Sequence, residues 1–302
     1  MLPGQRPLVL GIVGDSAAGK TTLSAGVAAI LGPGRSAVLH TDDYHRFSRA
    51  ERIARGLTAL HPDCNDLDLA EQHLRRLAAG EPIRKPVYNH ASGQLGSPQH
   101  LAAAPFVIVE GLLAFATPGL RACYDLMVYL DPEESLRRRW KIARDCTRRG
   151  YSPAQAAAEI ERRHPDAVEF IHPQRSWAGV VVRFGAPAAE TDLPDVRLLL
   201  RSTHGLPDLS PLIASQPGRP PMLSLRVGHD ERGLCEMLTI NGAIGARQAA
   251  GIAALIWAAL PGRQAPPPVQ LGDYLDGAAP RRSHSLGLVQ LLVALFLLHQ
   301  AA

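Results

Sequence analysis

The chain has 302 residues, with 32 Lys and Arg against 28 Asp and Glu, for a formal net charge of +4. That length suits one large domain, or one domain with an elaborated lobe, and it can bury a core without staples. The small charge excess gives no argument for a nucleic-acid partner, and four scattered cysteines with no CxxC pair point to neither a disulfide framework nor a thiolate metal site.

Leu8 to Val13 reads as a buried strand, followed by a Gly-rich turn and a helix from Thr21 to Leu31. A second strand at Val38-Leu39 stops before Thr41-Asp42-Asp43. Leu67 to Ala79 has helical spacing and is stopped by Gly80 and Pro82. Val107-Ile108-Val109 is a strand ending at Glu110-Gly111, and Leu126 to Leu130 is another, ending at Asp131-Pro132. Apolar runs alternating with helices predict an α/β fold with a mostly parallel sheet flanked by helices, of the P-loop NTPase type. Charged residues at the C-terminal strand ends fall where such sheets bind ligands.

Pro132 to Arg148 reads as a basic helix, with Asp131-Pro132 as its cap and first-turn proline, and Ser152 to Arg163 as a second helix. Together they predict a cationic lid over about 132–170. Beyond Val182 the pattern changes. Val196–Leu200, Met222–Val227 and Glu236–Ile240 predict a C-terminal antiparallel sheet extension. Ala246 to Leu260 reads as a helix and Pro261 to Pro268 as a loop. Leu286 to Leu298, interrupted by Gly287 and Gln290, is too short for a comfortable membrane span and reads as a buried helix. The expected organisation is a core at 1–183 and an extension at 184–302 within one globular unit. With no secretory signal evident, the expected compartment is the cytoplasm, with no membrane partner.

The chemistry begins at Gly14-Asp15-Ser16-Ala17-Ala18-Gly19-Lys20-Thr21, a full Walker A match between a predicted strand and helix. Its backbone amides, with those of the helix start at Thr22, would cradle phosphates. Lys20 would reach the β and γ phosphates, and Thr21 would place its hydroxyl on Mg²⁺. Asp42 is the candidate base and a possible metal neighbour. Asp43 could serve instead, and the pair could also simply cap a helix. Glu110 sits at the Walker B position as a candidate Mg²⁺ holder. Lys141, Arg144 and Arg148 share a helical face suited to charge building on a transferred phosphoryl group. His45, Arg46, Arg49 and the Tyr88-Asn89-His90 loop could line a sugar-phosphate site.

Taken in order, these segments resemble the phosphoribulokinase/uridine kinase family from about Val9 to Trp177. The specific pieces are Gly14 to Thr21, Asp42-Asp43-Tyr44-His45-Arg46, Thr58-Ala59-Leu60-His61-Pro62 with Asn65-Asp66-Leu67, and Lys85-Pro86-Val87-Tyr88-Asn89-His90. Glu110-Gly111-Leu112, Trp140-Lys141-Ile142-Ala143-Arg144-Asp145, Arg149-Gly150-Tyr151 and His172-Pro173-Gln174 complete them. The resemblance implies transfer from Mg-ATP to D-ribulose 5-phosphate, the step that supplies the CO₂ acceptor of the Calvin–Benson cycle. It implies Asp42 as base, His45, Arg49, Tyr88 and His90 on the sugar side, and Lys141, Arg144 and Arg149 as lid cations, the arginines touching substrate and Arg149 also nucleotide. Ala18 and His40 stand where plant members carry a redox cysteine pair, so dithiol switching at that site is not expected. The competing expectations are a uridine or other pentose kinase, and, in a different class, an ATP-binding regulator. Nucleic-acid binding lacks an aromatic platform, and a homodimer is the base-rate assembly.

Overall fold

The computed structural model describes residues 6–185, 195–201, 205–261, 271–276 and 279–301. β1 (Leu8–Gly14) leads through the Gly-rich loop into α1 (Lys20–Leu31), and β2 (Ser36–His40) ends in a 3₁₀ turn at Thr41–Tyr44. α2 (Arg49–Ala54) and α3 (Leu67–Ala78) precede a hairpin of β3 (Ile83–Asn89) and β4 (Gln94–Leu101). Next come β5 (Phe106–Gly111), α4 (Pro118–Arg121), β6 (Leu126–Leu130), the lid helices α5 (Glu134–Arg149) and α6 (Pro153–Asp166), and β7 (Val180–Phe184). The last part holds β8 (Val196–Leu200), α7 (Ser210–Ser215), β9 (Leu223–Asp230), β10 (Gly233–Ile240), α8 (Ala246–Ala258), a small hairpin of β11 (Asp273–Asp276) and β12 (Ala279–Arg282), and α9 (His284–His299).

One eight-stranded sheet runs in the order β2-β5-β1-β6-β7-β8-β10-β9. β2, β5, β1, β6 and β7 are parallel; β8, β10 and β9 continue the sheet in antiparallel pairing. β1 is apolar on both faces because both are covered. Leu10 and Ile12 pack in the layer of α1, α8 and α9, while Val9 and Val13 pack with Ala70, Leu74 and Leu77 of α3. Among the described residues no helix is long and apolar enough to cross a membrane.

Three sequence expectations change. Tyr88 and Asn89 lie on a strand, not in a loop: Pro86 obscures the strand pattern, but it sits at a register shift between Lys85 and Val87, where a missing N–H is tolerated. Asp131 does not cap the lid helix. That helix starts at Glu134, and Asp131 instead receives Arg175 and Arg183 at 3.2 and 3.3 Å. The strand at Val180–Phe184 passes unnoticed in the sequence because the lid's helical pattern runs up to it, yet it turns the sheet from parallel to antiparallel. The loop read at Pro261–Pro268 lies, after its first residue, outside the described residues.

The closing helix α9 is buried on all sides from Ser285 to Leu297, as a helix apolar all round must be. Its one buried amide, Gln290, donates to the Thr22 carbonyl at 3.1 Å and accepts from Gly272 N at 2.9 Å. Gly26 is what permits this approach, since a Cβ there would fall 2.1 Å from the Gln290 amide. The start of the phosphate-loop helix thus leans on the last helix of the chain. Leu292 is fully buried in that contact layer. Leu292→Ala should lower unfolding stability by about 2–5 kcal/mol, read as a lower urea midpoint with an unchanged slope.

Candidate active site

The phosphate loop turns through two left-handed residues, Ala17 at φ 68° and Gly19 at φ 96°. A non-glycine residue in that region costs roughly 1 kcal/mol, strain that an ordinary turn would avoid. Lys20 opens α1, and its Nζ donates to the Gly14 and Asp15 carbonyls at 2.9 and 3.0 Å. Burial pushes its ammonium down from the ordinary lysine range, against the charges of Asp42, Glu110 and Asp15.

Asp15 is buried and holds Arg137 Nη1 at 3.2 Å. The same Arg137 nitrogen donates to the Ser16 carbonyl at 3.0 Å, while Glu134 receives its other two nitrogens at 2.7 Å each. Burial raises the Asp15 carboxyl, but the His172 hydrogen bond and the Arg137 charge outweigh it, leaving it below the usual range. Arg144 Nη2 reaches Ser16 Oγ at 3.2 Å. Helix α5 is therefore docked on the phosphate loop. Arg137 carries much of that docking and escaped the sequence reading, since in a helix this rich in arginine spacing alone does not single out the one that turns inward.

Glu110 is the next-to-last residue of β5, in register with Ile12 of β1 and His40 of β2. Its carboxylate accepts from Thr21 Oγ1 and Ser24 Oγ, each at 2.9 Å, and lies 2.7 Å from His40 Nδ1. Burial raises the carboxyl, but the His40 contact and the two hydroxyls bring it below its ordinary value. The bond to Glu110 in turn raises the His40 ring. Thr21 and Glu110 present a hydroxyl and a carboxylate side by side, an oxygen donor set of the kind Mg²⁺ takes beside substrate phosphates. Next along the chain, Gly111 has no room for a side chain: a Cβ would meet Thr41 Oγ1 at 1.6 Å. This close approach brings the Thr41–Tyr44 turn against the end of β5.

That turn gives its two aspartates different surroundings. Asp43 is buried and accepts from Tyr88 N at 3.0 Å and from Lys85 Nζ, which ties the β3–β4 hairpin to the sheet. Asp42 makes no hydrogen bond among the described residues. Burial pushes its carboxyl up, but His45, Lys20, His90 and His40 outweigh that and hold it below the usual range.

On the far side of Asp42, a Ser48–Glu51 capping box starts α2, with Arg49 at its first position and Arg52 turned inward. Arg49 donates to the His90 carbonyl. Tyr88 stacks edge-to-face with His45 at 4.6 Å and with His90 at 5.1 Å, and its hydroxyl receives Arg52 Nη2 at 2.9 Å. Arg52 went unread in the sequence, and Lys85 was noticed only as part of a segment, without a role; both are buried or nearly so, and only the folded hairpin gives them partners.

In the lid, Asp145 is 1% exposed and binds three cations. Lys141 Nζ lies at 2.7 Å, Arg144 Nη2 at 2.9 Å and Arg149 Nη1 at 3.5 Å. Arg144 and Arg149 remain partly exposed, and both act electrostatically on His90. Lys141 is turned inward. Burial and the neighbouring Arg163 lower it to about 8 against the pull of Asp145. Arg148 points to solvent. The structure thus brings Lys20, Asp42 and Glu110 within electrostatic reach of one another and Asp42 within reach of His45 and His90; Arg144 reaches both Ser16 and His90, Arg149 reaches His90, and Lys141 is turned into the protein.

The model of the Phosphoribulokinase / Uridine kinase family matches residues 9–189. A phosphoribulokinase from Synechocystis sp. is 36% identical over 178 residues, which are 59% of this chain and 54% of that protein. A uridine kinase from Chloroflexus aurantiacus is 29% identical over 181 residues, 58% of this chain and 86% of that protein. The chain spans about half the length of the curated phosphoribulokinases it matches. The solved phosphoribulokinase from Rhodobacter spheroides shares the fold at TM-score 0.60 and 19% identity, covering 78% of this chain and 91% of that one. This is a larger share than residues 9–189 make up, so the likeness of fold takes in residues outside that range.

The His40–Glu110 contact should show in stability. The His40 ring is raised above its ordinary 6.5 in the fold. Its contribution is therefore full below pH 6.5 and is lost as pH rises through the higher folded value. Glu110 is lowered below 4.5, so its contribution holds above pH 4.5 and fades as pH falls through the lower folded value. Urea unfolding of the parent and His40→Ala chains should differ most at mildly acidic pH and converge as pH rises into the alkaline range. A difference that stayed constant would show that the pair does not titrate.

Proposed function

The chain belongs to the phosphoribulokinase/uridine kinase family, and from that premise we propose that it transfers the γ-phosphate of ATP to O1 of D-ribulose 5-phosphate, giving ADP and ribulose 1,5-bisphosphate. The observation that carries the transfer reading is the division of the acidic pair: Asp43 is committed to Lys85 and Tyr88, while Asp42 is kept ionised and unbonded near Lys20. A sensor that merely held ATP would not need an unpartnered carboxylate there.

Two things favour a sugar phosphate. Identity is higher to phosphoribulokinase, at 36%, than to uridine kinase, at 29%. In addition, Arg49, Arg144 and Arg149 lie around the sugar side, cations a phosphate dianion requires and an uncharged nucleoside does not. Uridine is the second reading, favoured by the 86% coverage of the uridine kinase relative.

In this reading Lys20 and the loop amides hold the β and γ phosphates. Thr21 and Glu110 would hold Mg²⁺, which when bound would neutralise phosphate charge. Asp42 takes the proton from the O1 hydroxyl as that oxygen attacks in line. Arg144 and Arg149 steady the equatorial oxygens of the transferred group, and the lid keeps out water, the competing acceptor. Lys141 acts with Asp145 to fix the two arginines. Residues 1–183 form the kinase core, residues 184–302 extend its sheet, and the proposed assembly is a cytoplasmic homodimer.

An ADP-release assay with Mg-ATP should give strong turnover with ribulose 5-phosphate and little with uridine, ribose 5-phosphate or no acceptor. Preference for uridine would move the enzyme within its family, and acceptor-independent release would end the kinase reading. Asp42→Asn should lower kcat by about 10²–10⁴-fold. Arg49→Ala should raise the KM for ribulose 5-phosphate and leave that for ATP in place; an unchanged sugar KM would remove Arg49 from the site.

A further inference from the structure

We infer that Asn65 holds His45 as the neutral Nδ1–H tautomer, so that the ring meets the acceptor substrate through a bare Nε2 and reads a hydroxyl group there, not a phosphate. The identity of that substrate rests on the proposed function; the state of the ring does not.

The amide of Asn65 sets the chemistry. Its Nδ2 lies 2.9 Å from the His61 carbonyl and 3.2 Å from the Ala59 carbonyl. Carbonyl oxygens only accept, so the amide nitrogen must face them and Oδ1 must face His45. Oδ1 lies 2.8 Å from His45 Nδ1. Because Oδ1 too can only accept, the hydrogen sits on Nδ1. A neutral ring with that hydrogen carries a lone pair, and no proton, on Nε2.

The surroundings favour the neutral ring. It is 6% exposed and packs edge-on to Tyr88. The buried guanidinium of Arg52, bonded to the Tyr88 hydroxyl, adds positive charge nearby. Burial is the largest influence on the ring and pushes it down to about 4.

Nε2 has no partner among the described residues. Ser36 Oγ is the sole fully enclosed side-chain polar atom among them without one, so Nε2 is not fully enclosed. Asp42 is the strongest charge acting on the ring. The carboxylate and the bare nitrogen therefore form a pair of acceptors. A polyol satisfies both, giving the reacting hydroxyl to Asp42 and another hydroxyl to Nε2. A phosphate dianion has no proton to offer and would face a lone pair, so its place is beside the arginines. Asn65 is then a positioning residue for substrate selection, although it touches no substrate itself.

Nitrogen-15 NMR of the full chain labelled at histidine tests the ring directly, with the His45 signals identified by their loss in His45→Gln. A protonated Nδ1 and a bare Nε2 are expected; an Nε2–H tautomer or a doubly protonated ring at neutral pH would overturn the inference. Kinetics test its use. His45→Asn, which can still bond Asn65, should raise the KM for ribulose 5-phosphate about tenfold or more, with the KM for Mg-ATP unchanged. His45→Gln places an amide oxygen near the Nε2 position and should recover part of that loss. Equal losses in the two variants, or no loss in His45→Asn, would defeat the acceptor role. If the parent chain ignores ribulose 5-phosphate, the substrate assignment fails; the NMR result still decides the tautomer, and the same two variants measured on the acceptor that is turned over decide its use.

Discussion

A carboxylate cannot be buried unless its charge is met, and the contact that meets Glu110 joins three elements at once. His40 comes from the edge strand β2, Thr21 and Ser24 come from α1, and Glu110 itself lies next to last in β5. An uncompensated charge at this depth would cost several kcal/mol. The contact therefore holds the strand end and the first turn of α1 in one register. The phosphate loop runs from β1, the sheet neighbour of β5, into that first turn of α1, so this knot fixes the helix end of the loop. The same knot leaves a hydroxyl and a carboxylate adjacent, the pair proposed above to hold Mg²⁺.

The lid repeats the device with the signs reversed. Lys141, Arg144 and Arg149 would repel one another if they shared a face with nothing between them. Asp145 lies among them, almost wholly buried, and each cation reaches it. One acid thus makes a cationic lid compatible with a folded helix, at the expense of turning Lys141 inward. Arg137, one turn earlier, joins this helix to Asp15 and Ser16, so the lid is held against the loop.

The antiparallel extension is tied to the same machinery by a third charged cluster. Arg201, buried at the end of β8, binds Asp230 at 2.7 Å and Glu231 at 2.8 Å and donates to the Arg175 carbonyl at 2.9 Å. Arg175 lies in the turn that returns the chain from the lid to β7, close behind His172 and Gln174. Gln174 bonds Leu112 and Phe115 beyond the Glu110 strand. The added strands therefore brace the far end of the lid, and α9 braces the start of α1 through Gln290. These contacts give described residues beyond 184 a structural part in holding the lid and the phosphate-loop helix.

Much of the site was legible in the chain itself because its signals are local. Gly14 to Thr21 is one contiguous turn between a strand and a helix, and its shape follows from neighbouring residues. Asp42 and Glu110 each follow an apolar run directly, so the strand-end rule for open α/β sheets finds them. The alternation of those runs with helices likewise determines the parallel core. What the sequence left open depended on groups that arrive from far along the chain. Asp42 and Asp43 are adjacent and chemically equal until Lys85 and Tyr88 fold back on one of them. Lys141 and Arg148 read alike until packing buries the first and leaves the second in solvent. His45 becomes a hydrogen-bond acceptor only because Asn65, twenty residues away, is itself oriented by two carbonyls. Residue type and periodicity carry a local conformation, whereas the charge, tautomer and exposure of a side chain are set by whatever the tertiary fold brings against it.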